Sequence, residues 1–141
     1  MNFDMIGPGI ALGLGCLGSA IGCGIAGMAS HGVMTHVDEG HGKYIGLSAV
    51  PSSQAIYGFV LMILMSNSIK AGTLSPLSGI GIALFAGLAI MVSAIYQGKV
   101  AATAIQASAK QPAIFGKCAA AVGIVESFAL FAFVFSLLII G

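Results

Sequence analysis

The stretch Cys118–Gly141, CAAAVGIVESFALFAFVFSLLIIG, holds 24 residues and a single charged one, Glu126. About 20 mostly apolar residues are enough for a helix to cross a bilayer. At about 1.5 Å of rise per residue, Glu126 lies roughly 12 Å along such a helix from Cys118. The hydrocarbon core is about 30 Å thick, so the carboxylate falls near its middle. A charge at that depth costs about 2.5–3.5 kcal/mol on insertion scales, and more by other measures. The group must therefore be neutral, paired with a cation, or turned toward protein. An ion-handling role is the reading that such a position invites.

The rest of the composition agrees. The 141 residues are 58% hydrophobic and 6% charged, with a mean hydropathy of +1.07. Soluble proteins carry about 25% charged residues. The apolar runs are continuous and not alternating, which predicts membrane helices and excludes a barrel. Net charge is +1, from five lysines and no arginine against four acids, so nucleic acid is not an expected partner. The start, MNFDMIGPGIALG, lacks a basic n-region, and no signal peptide is expected. Cys16, Cys23 and Cys118 all lie in apolar runs and are expected to be small buried residues, with no metal or disulfide role.

Four apolar stretches are visible, from about Met5 to Ser30, Tyr44 to Ile69, Leu77 to Tyr96 with helical composition onward to Ala109, and Lys117 to Ile140. The expected links are His31–Lys43, Lys70–Pro76 and Lys110–Lys117, the last containing the helix-breaking pair Gln111–Pro112. The expected fold is all-α, one domain over 1–141, with four transmembrane helices arranged as two hairpins. Lys43, Lys99, Lys110 and Lys117 lie toward the first and third links, and Lys70 alone lies at the second. The positive-inside rule then puts the first and third links in the cytoplasm and both termini outside.

The hairpins look like a duplication, with repeats at about 1–70 and 75–141. At an offset of 74 residues, Ser19-Ala-Ile-Gly-Cys-Gly24 aligns with Ser93-Ala-Ile-Tyr-Gln-Gly98, and Tyr57-Gly-Phe-Val60 with Phe131-Ala-Phe-Val134. Glu126 falls opposite Ser52 and Gln97 opposite Cys23. Only one hairpin keeps the acid, which leaves one ionisable site per four helices.

Helix 1 is rich in glycine. Gly13–Gly18 and Gly22–Gly27 both fit GxGxxG, but a dinucleotide site needs a strand before the motif, and here it lies inside an apolar span. Close helix packing is the better reading, with Gly9/Gly13 and Gly18/Gly22 each spaced as GxxxG. Gly81, Ala83, Ala86, Gly87 and Ala89 give helix 3 the same character. His31, His36 and His41 are read as residues of a solvated loop, in preference to a zinc site.

In helix 2, Val50, Ser53, Gln54 and Tyr57 follow the i, i+3, i+4, i+7 pattern and share a face. Pro51 disturbs the preceding turn and loosens backbone carbonyls beside that face. Gln97 of helix 3 and Glu126 of helix 4 complete a set of oxygen donors without thiolate or imidazole. Such a set with one carboxylate suits a hard monovalent cation. Ca²⁺ draws more carboxylate oxygen and Zn²⁺ prefers nitrogen and sulfur. Na⁺ would be neutralised by Glu126 alone, whereas H⁺ would leave both glutamines surplus. Taken singly, Ser53 and Gln54 also fit interhelical hydrogen bonding, Tyr57 fits packing, and Gln97 fits the membrane boundary.

Three segments, Pro51-Ser-Ser-Gln-Ala-Ile-Tyr-Gly-Phe59, Gln97-Gly-Lys-Val-Ala-Ala102 and Val125-Glu-Ser-Phe-Ala129, resemble the rotor proteolipid of V-type ATPases. The likeness is greatest to the bacterial V/A-type proteolipid, the K or c type. It covers nearly the whole chain, including the duplicated hairpin and the loss of the first acid. The resemblance implies a homo-oligomeric rotor ring in a sodium-transporting ATPase or ATP synthase, with catalysis in a separate soluble sector and none in this chain. It implies Na⁺ held by Glu126, Gln97, Gln54, Ser53 and the Val50 backbone carbonyl. Tyr57 would hydrogen-bond Glu126 and lock the site. Ser53 stands where sodium-translocating members have threonine, so the hydroxyl is kept and a methyl lost. Expected partners are identical subunits, a stator membrane subunit with a basic residue, central-stalk subunits at the cytoplasmic loops, and lipid. No organic cofactor is expected, and the expected location is a bacterial inner membrane. The alternatives are the same rotor driven by H⁺, a small four-helix antiporter exchanging on Glu126, and a structural proteolipid.

Overall fold

A computed structural model describes residues 3–141. Among these residues there are helices and turns but no strand: α1 (Ile6–Met34), α2 (His41–Ala49), a 3₁₀ turn (Val50–Ser52), α3 (Ser53–Lys70), α4 (Pro76–Lys110), a second 3₁₀ turn (Pro112–Ile114) and α5 (Phe115–Ile140). They form four rods long and apolar enough to cross a membrane, Ile6–Met34, His41–Lys70, Pro76–Lys110 and Pro112–Ile140. The chain is an all-α membrane protein of four spans in two hairpins. The second rod is α2 and α3 joined through the 3₁₀ turn at Pro51, and its mid-rod position follows from the missing proline N–H.

The helix ends follow local chemistry. At the second link the chain turns through Gly72, whose φ of +77° favours glycine, and α4 begins with Pro76 at its first position. There the Ser75 hydroxyl accepts from the Ser78 N–H at 3.1 Å, a conventional N-cap. Two expected links are shorter than the residue types suggest. His31–Met34 extend α1 and His41–Lys43 open α2, so the first link is only 35–40. Polar residues beyond the lipid continue a helix at little cost when no proline intervenes. Gly40, at φ +78°, supplies the left-handed residue that starts α2. In the third link, helical structure resumes directly at Pro112, because proline suits the first turn of a helix.

Helix α1 lies between α3 and α4, and α5 packs on α4 and α3. Glycine makes the close approaches. A Cβ on Gly18 would stand 2.6 Å from the Met91 Cα, and one on Gly58 would stand 2.7 Å from the Ala11 carbonyl oxygen. Gly22 lies equally close to the α4 backbone at Ala94. The Gly9/Gly13 pair behaves otherwise. A Cβ at either position meets nothing within 4 Å, so this GxxxG makes no contact inside the chain. Cys16 shares that outward side of α1 and is exposed, contrary to its expected burial, while Cys23 and Cys118 are half-buried. All three are free thiols.

Two apolar clusters are stacked along the bundle. One contains Ala11, Leu61, Met65, Ala83 and Ile140, and the other contains Ala26, Leu47, Ala101, Ile105 and Val122. Between them lies a polar layer in which Gln54 and Gln97 are both 0% exposed. Burying two amides in an apolar bundle is costly unless their donors and acceptors are matched. That requirement dictates the geometry of the layer.

Candidate functional site

The layer is a directed chain of hydrogen bonds that ends on Glu126. The Ser53 hydroxyl lies 3.2 Å from Gln54 Oε1 and donates to it. Gln54 Nε2 donates to Gln97 Oε1 at 2.7 Å. Gln97 Nε2 donates to Glu126 Oε2 at 3.5 Å and to the Val122 carbonyl at 3.2 Å. On the other side of the carboxylate, the Tyr57 hydroxyl donates to Glu126 Oε1 at 2.9 Å. Neutral donors thus face both carboxylate oxygens, and such charge-assisted bonds are stronger than neutral ones.

Each element contributes for a local reason. Pro51 leaves the turn Val50–Ser52 in 3₁₀ geometry, and the Val50 carbonyl accepts both from the Ser53 N–H and, at 3.1 Å, from the Ser53 hydroxyl. That puts the Val50 oxygen, the Ser53 hydroxyl and Gln54 Oε1 in one short arc at the start of α3. Gln97 projects from α4 at the level where α1 comes closest, and Gly98 beside it leaves no room for a side chain against Gly22. Glu126 sits near the middle of the 26-residue α5 and is half-buried. Tyr57 reaches it across the α3–α5 seam, with its ring stacked on Phe133 at 5.6 Å between centroids.

All six candidate residues, Val50, Ser53, Gln54, Tyr57, Gln97 and Glu126, therefore meet in one layer. Three further contributors are not among the residues that the sequence singles out. Ser93 donates to the Val125 carbonyl at 2.8 Å, fixing the backbone beside Glu126. The Val122 carbonyl anchors Gln97, and Phe133 stacks on Tyr57. Ser93 is four residues before Gln97, on the same face of α4, so helical spacing is the signal that points to it.

One carboxylate and one amide on the second of two duplicated hairpins thus meet an amide, two hydroxyls and a backbone carbonyl of the first, near the middle of the spans. The sequence profile of the ATP synthase C subunit matches the chain twice, over residues 6–65 and 80–139. The chain belongs to this family. The two matches are displaced by 74 residues, the offset at which the hairpins align. The A-type ATP synthase subunit K of Methanocaldococcus jannaschii is 40% identical over 112 residues, covering 79% of this chain and 50% of that protein. The V-type sodium ATPase subunit K of Enterococcus hirae is 32% identical over 142 residues, covering 99% of this chain and 91% of that protein. The chain thus aligns with half the length of the first relative and most of the second. As a c-type proteolipid of the V/A branch it is a non-catalytic, multi-pass component of the membrane sector. The family forms homo-oligomeric rings.

Proposed function

We propose that the chain is the ion-carrying unit of a V/A-type rotor ring, and that its cargo is Na⁺ held at Glu126. The observation that carries this reading is a half-buried carboxylate bonded by Tyr57 and Gln97, with Gln54 bonded to Gln97 behind it. A proton carrier needs the carboxylate alone, and two buried amides would then be an unnecessary desolvation burden. A cation with oxygen ligands uses them. The name of the Enterococcus hirae relative, a sodium ATPase subunit, supports the same choice.

The proposed ligands are Glu126, the side-chain oxygens of Gln97, Gln54 and Ser53, and the Val50 carbonyl. Gln54 Oε1 and Gln97 Oε1 each accept a neighbour's hydrogen bond, so loading turns these oxygens from those donors toward the ion. Terminal amide torsions are soft, which keeps that rotation inexpensive. With Na⁺ bound, the site is formally neutral and can pass through lipid. Tyr57 holds the loaded carboxylate closed. At a stator subunit, a basic side chain attracts the emptied Glu126 until it reloads from a second aqueous path. Rotation of the ring thereby couples ion flux to a central stalk. The stalk would engage the first and third links on the cytoplasmic side of a bacterial cell membrane, the side where Lys43, Lys99, Lys110 and Lys117 cluster.

The test is carbodiimide modification of Glu126 in the assembled protein over a pH series. Carbodiimide attacks the protonated carboxyl, and Na⁺ competes with the proton for the carboxylate. Added Na⁺ is expected to slow labelling, with less Na⁺ needed as pH rises. Labelling that follows pH alone and ignores Na⁺ would assign the site to protons.

A further inference from the structure

One turn of α5 is held by α4 at two points. The Ser93 hydroxyl donates to the Val125 carbonyl at 2.8 Å, and Gln97 Nε2 donates to the Val122 carbonyl at 3.2 Å. Ser93 and Gln97 share a face of α4, one turn apart. A carbonyl oxygen has two lone pairs, so each acceptor takes this bond beside its place in the α5 ladder. The Val125 carbonyl belongs to the peptide unit that carries the Glu126 N–H. In the regular ladder that N–H is donated to the Val122 carbonyl. The two bonds therefore grip the backbone from which the carboxylate hangs.

Packing alone holds this turn weakly. The buried residues of α5 are Val122, Ala129, Ser136 and Ile140, so none lies between Val122 and Ala129. A groove of about 320 Å³, lined by Ala89, Val92, Tyr96, Val125 and Phe128, opens beside Ser93. The rotation of α5 about its own axis matters at the ångström scale. Side chains reach about 5–6 Å from a helix axis, so a turn of about 20° carries the carboxylate roughly 2 Å. The bonds from Tyr57 and Gln97, at 2.9 and 3.5 Å, do not survive such a shift. In the first hairpin the equivalent of Ser93 is Ser19, whose buried hydroxyl has no partner, and there Ser52 stands in place of the acid. The grip exists where there is a carboxylate to aim.

We propose that Ser93 is a positioning residue for ion capture. It lies outside the proposed ligand set. Its hydroxyl, together with Gln97, fixes the rotation of α5 and so sets how well Glu126 meets Tyr57, Gln97 and the cation. The proposal rests on the ion-carrier reading and adds a determinant of affinity beyond the ligands.

The experiment uses the full chain assembled in membranes and follows carbodiimide labelling of Glu126 at one pH, with and without Na⁺. Ser93→Ala is expected to raise the Na⁺ concentration that halves labelling roughly fivefold, the factor that one hydrogen bond amounts to. Ser93→Thr keeps the hydroxyl, has the groove beside it for the added methyl, and is expected to stay within about twofold of the parent. Ser30→Ala is the control. It removes a buried bond of the same kind and length, from Ser30 to the Tyr44 carbonyl at 2.8 Å, away from the polar layer. It is expected to cost similar stability and leave Na⁺ protection unchanged. If Ser93→Ala does not assemble, Ser93→Cys takes its place, similar in size but a far weaker donor, and the same direction of change is expected. Parent-like protection in the Ala or Cys variant, failure of Ser93→Thr to restore it, or an equal change in Ser30→Ala overturns the proposal. Labelling of the parent that ignores Na⁺ overturns the sodium reading and not this one. The labelling rate without Na⁺ then decides: a severalfold change in Ser93→Ala that Ser93→Thr restores supports the role of Ser93, and an unchanged rate overturns it.

Discussion

The two hairpins share a fold and differ at mid-membrane. In the second, Ser93, Gln97 and Glu126 each make hydrogen bonds that join helices. Their equivalents in the first are Ser19, Cys23 and Ser52. Ser19 is buried with its hydroxyl unpartnered, Cys23 reaches the Ala49 carbonyl only through a weak thiol contact at 4.0 Å, and Ser52 faces outward. Yet the first hairpin supplies Ser53, Gln54 and Tyr57 to the other's acid. Duplication has therefore made the hairpins unequal: the second holds the charge and Gln97, and the first completes the layer with Tyr57, Gln54 and Ser53. One local hydrogen bond persists in both hairpins. Ser53 bonds the Val50 carbonyl and its equivalent Ser127 bonds the Ile124 carbonyl, at 3.1 and 2.7 Å.

The sharpest break of this asymmetry is the acid itself. Glu126→Gln is expected to abolish ion-coupled ATP hydrolysis while the ring still assembles, whereas Ser52→Ala leaves coupling intact. Transport assays on reconstituted complexes check both. Next comes packing. Gly98→Val drives a side chain into the Gly22 backbone, which cannot rotate away, so destabilisation should exceed the about 1–3 kcal/mol usual for over-packing. Gly24→Val, at the equivalent position, has open space within its own chain and should leave monomer stability unchanged. Unfolding of the monomer in mixed micelles distinguishes the two.

The amide pair comes third. Gln97→Ala removes donors to Glu126 and Val122 and strands Gln54 Nε2. Bonds to charged groups are worth about 1.5–3 kcal/mol, so Na⁺ affinity should fall roughly 10- to 100-fold. Cys23→Ala should leave ²²Na⁺ binding within about twofold, as expected for a site contributing under about 0.5 kcal/mol. The smallest contrast lies in the serines. Ser93→Ala loses a buried bond and should cost about 1 kcal/mol. Ser19→Ala deletes an unsatisfied buried hydroxyl and should be neutral or slightly stabilising in the same unfolding assay.

Much of the site is legible in the sequence because its residues are chemically out of place. An acid in an apolar run, a proline inside a span and a glutamine in each of two spans all stand out against leucine and alanine. Ser93 and the Val122 carbonyl escape notice for the opposite reason. Serine is common in membrane helices, and a backbone oxygen carries no signature in sequence. The links are shorter than polarity alone suggests, because polarity does not end a helix. His31–Met34 and His41–Lys43 carry helix past the long apolar runs. Apolar neighbours suggest burial for Cys16, but in a membrane protein apolar neighbours lie on the outside too.

Composition and pattern are enough for the membrane, the four spans, the duplication and the lone acid. Each follows from transfer free energy and from periodicity along one chain, which are local properties. The direction of the hydrogen bonds toward Glu126 is not readable that way. Nor are the division of labour between hairpins or the contrast between packed and bare glycines. These depend on which helices come within a few ångströms of each other, and that is decided only when all four rods pack. Gly13 and Gly87 are the same letter in two copies of one repeat. Only the tertiary structure distinguishes them, because one has a leucine pressed against it and the other has open space.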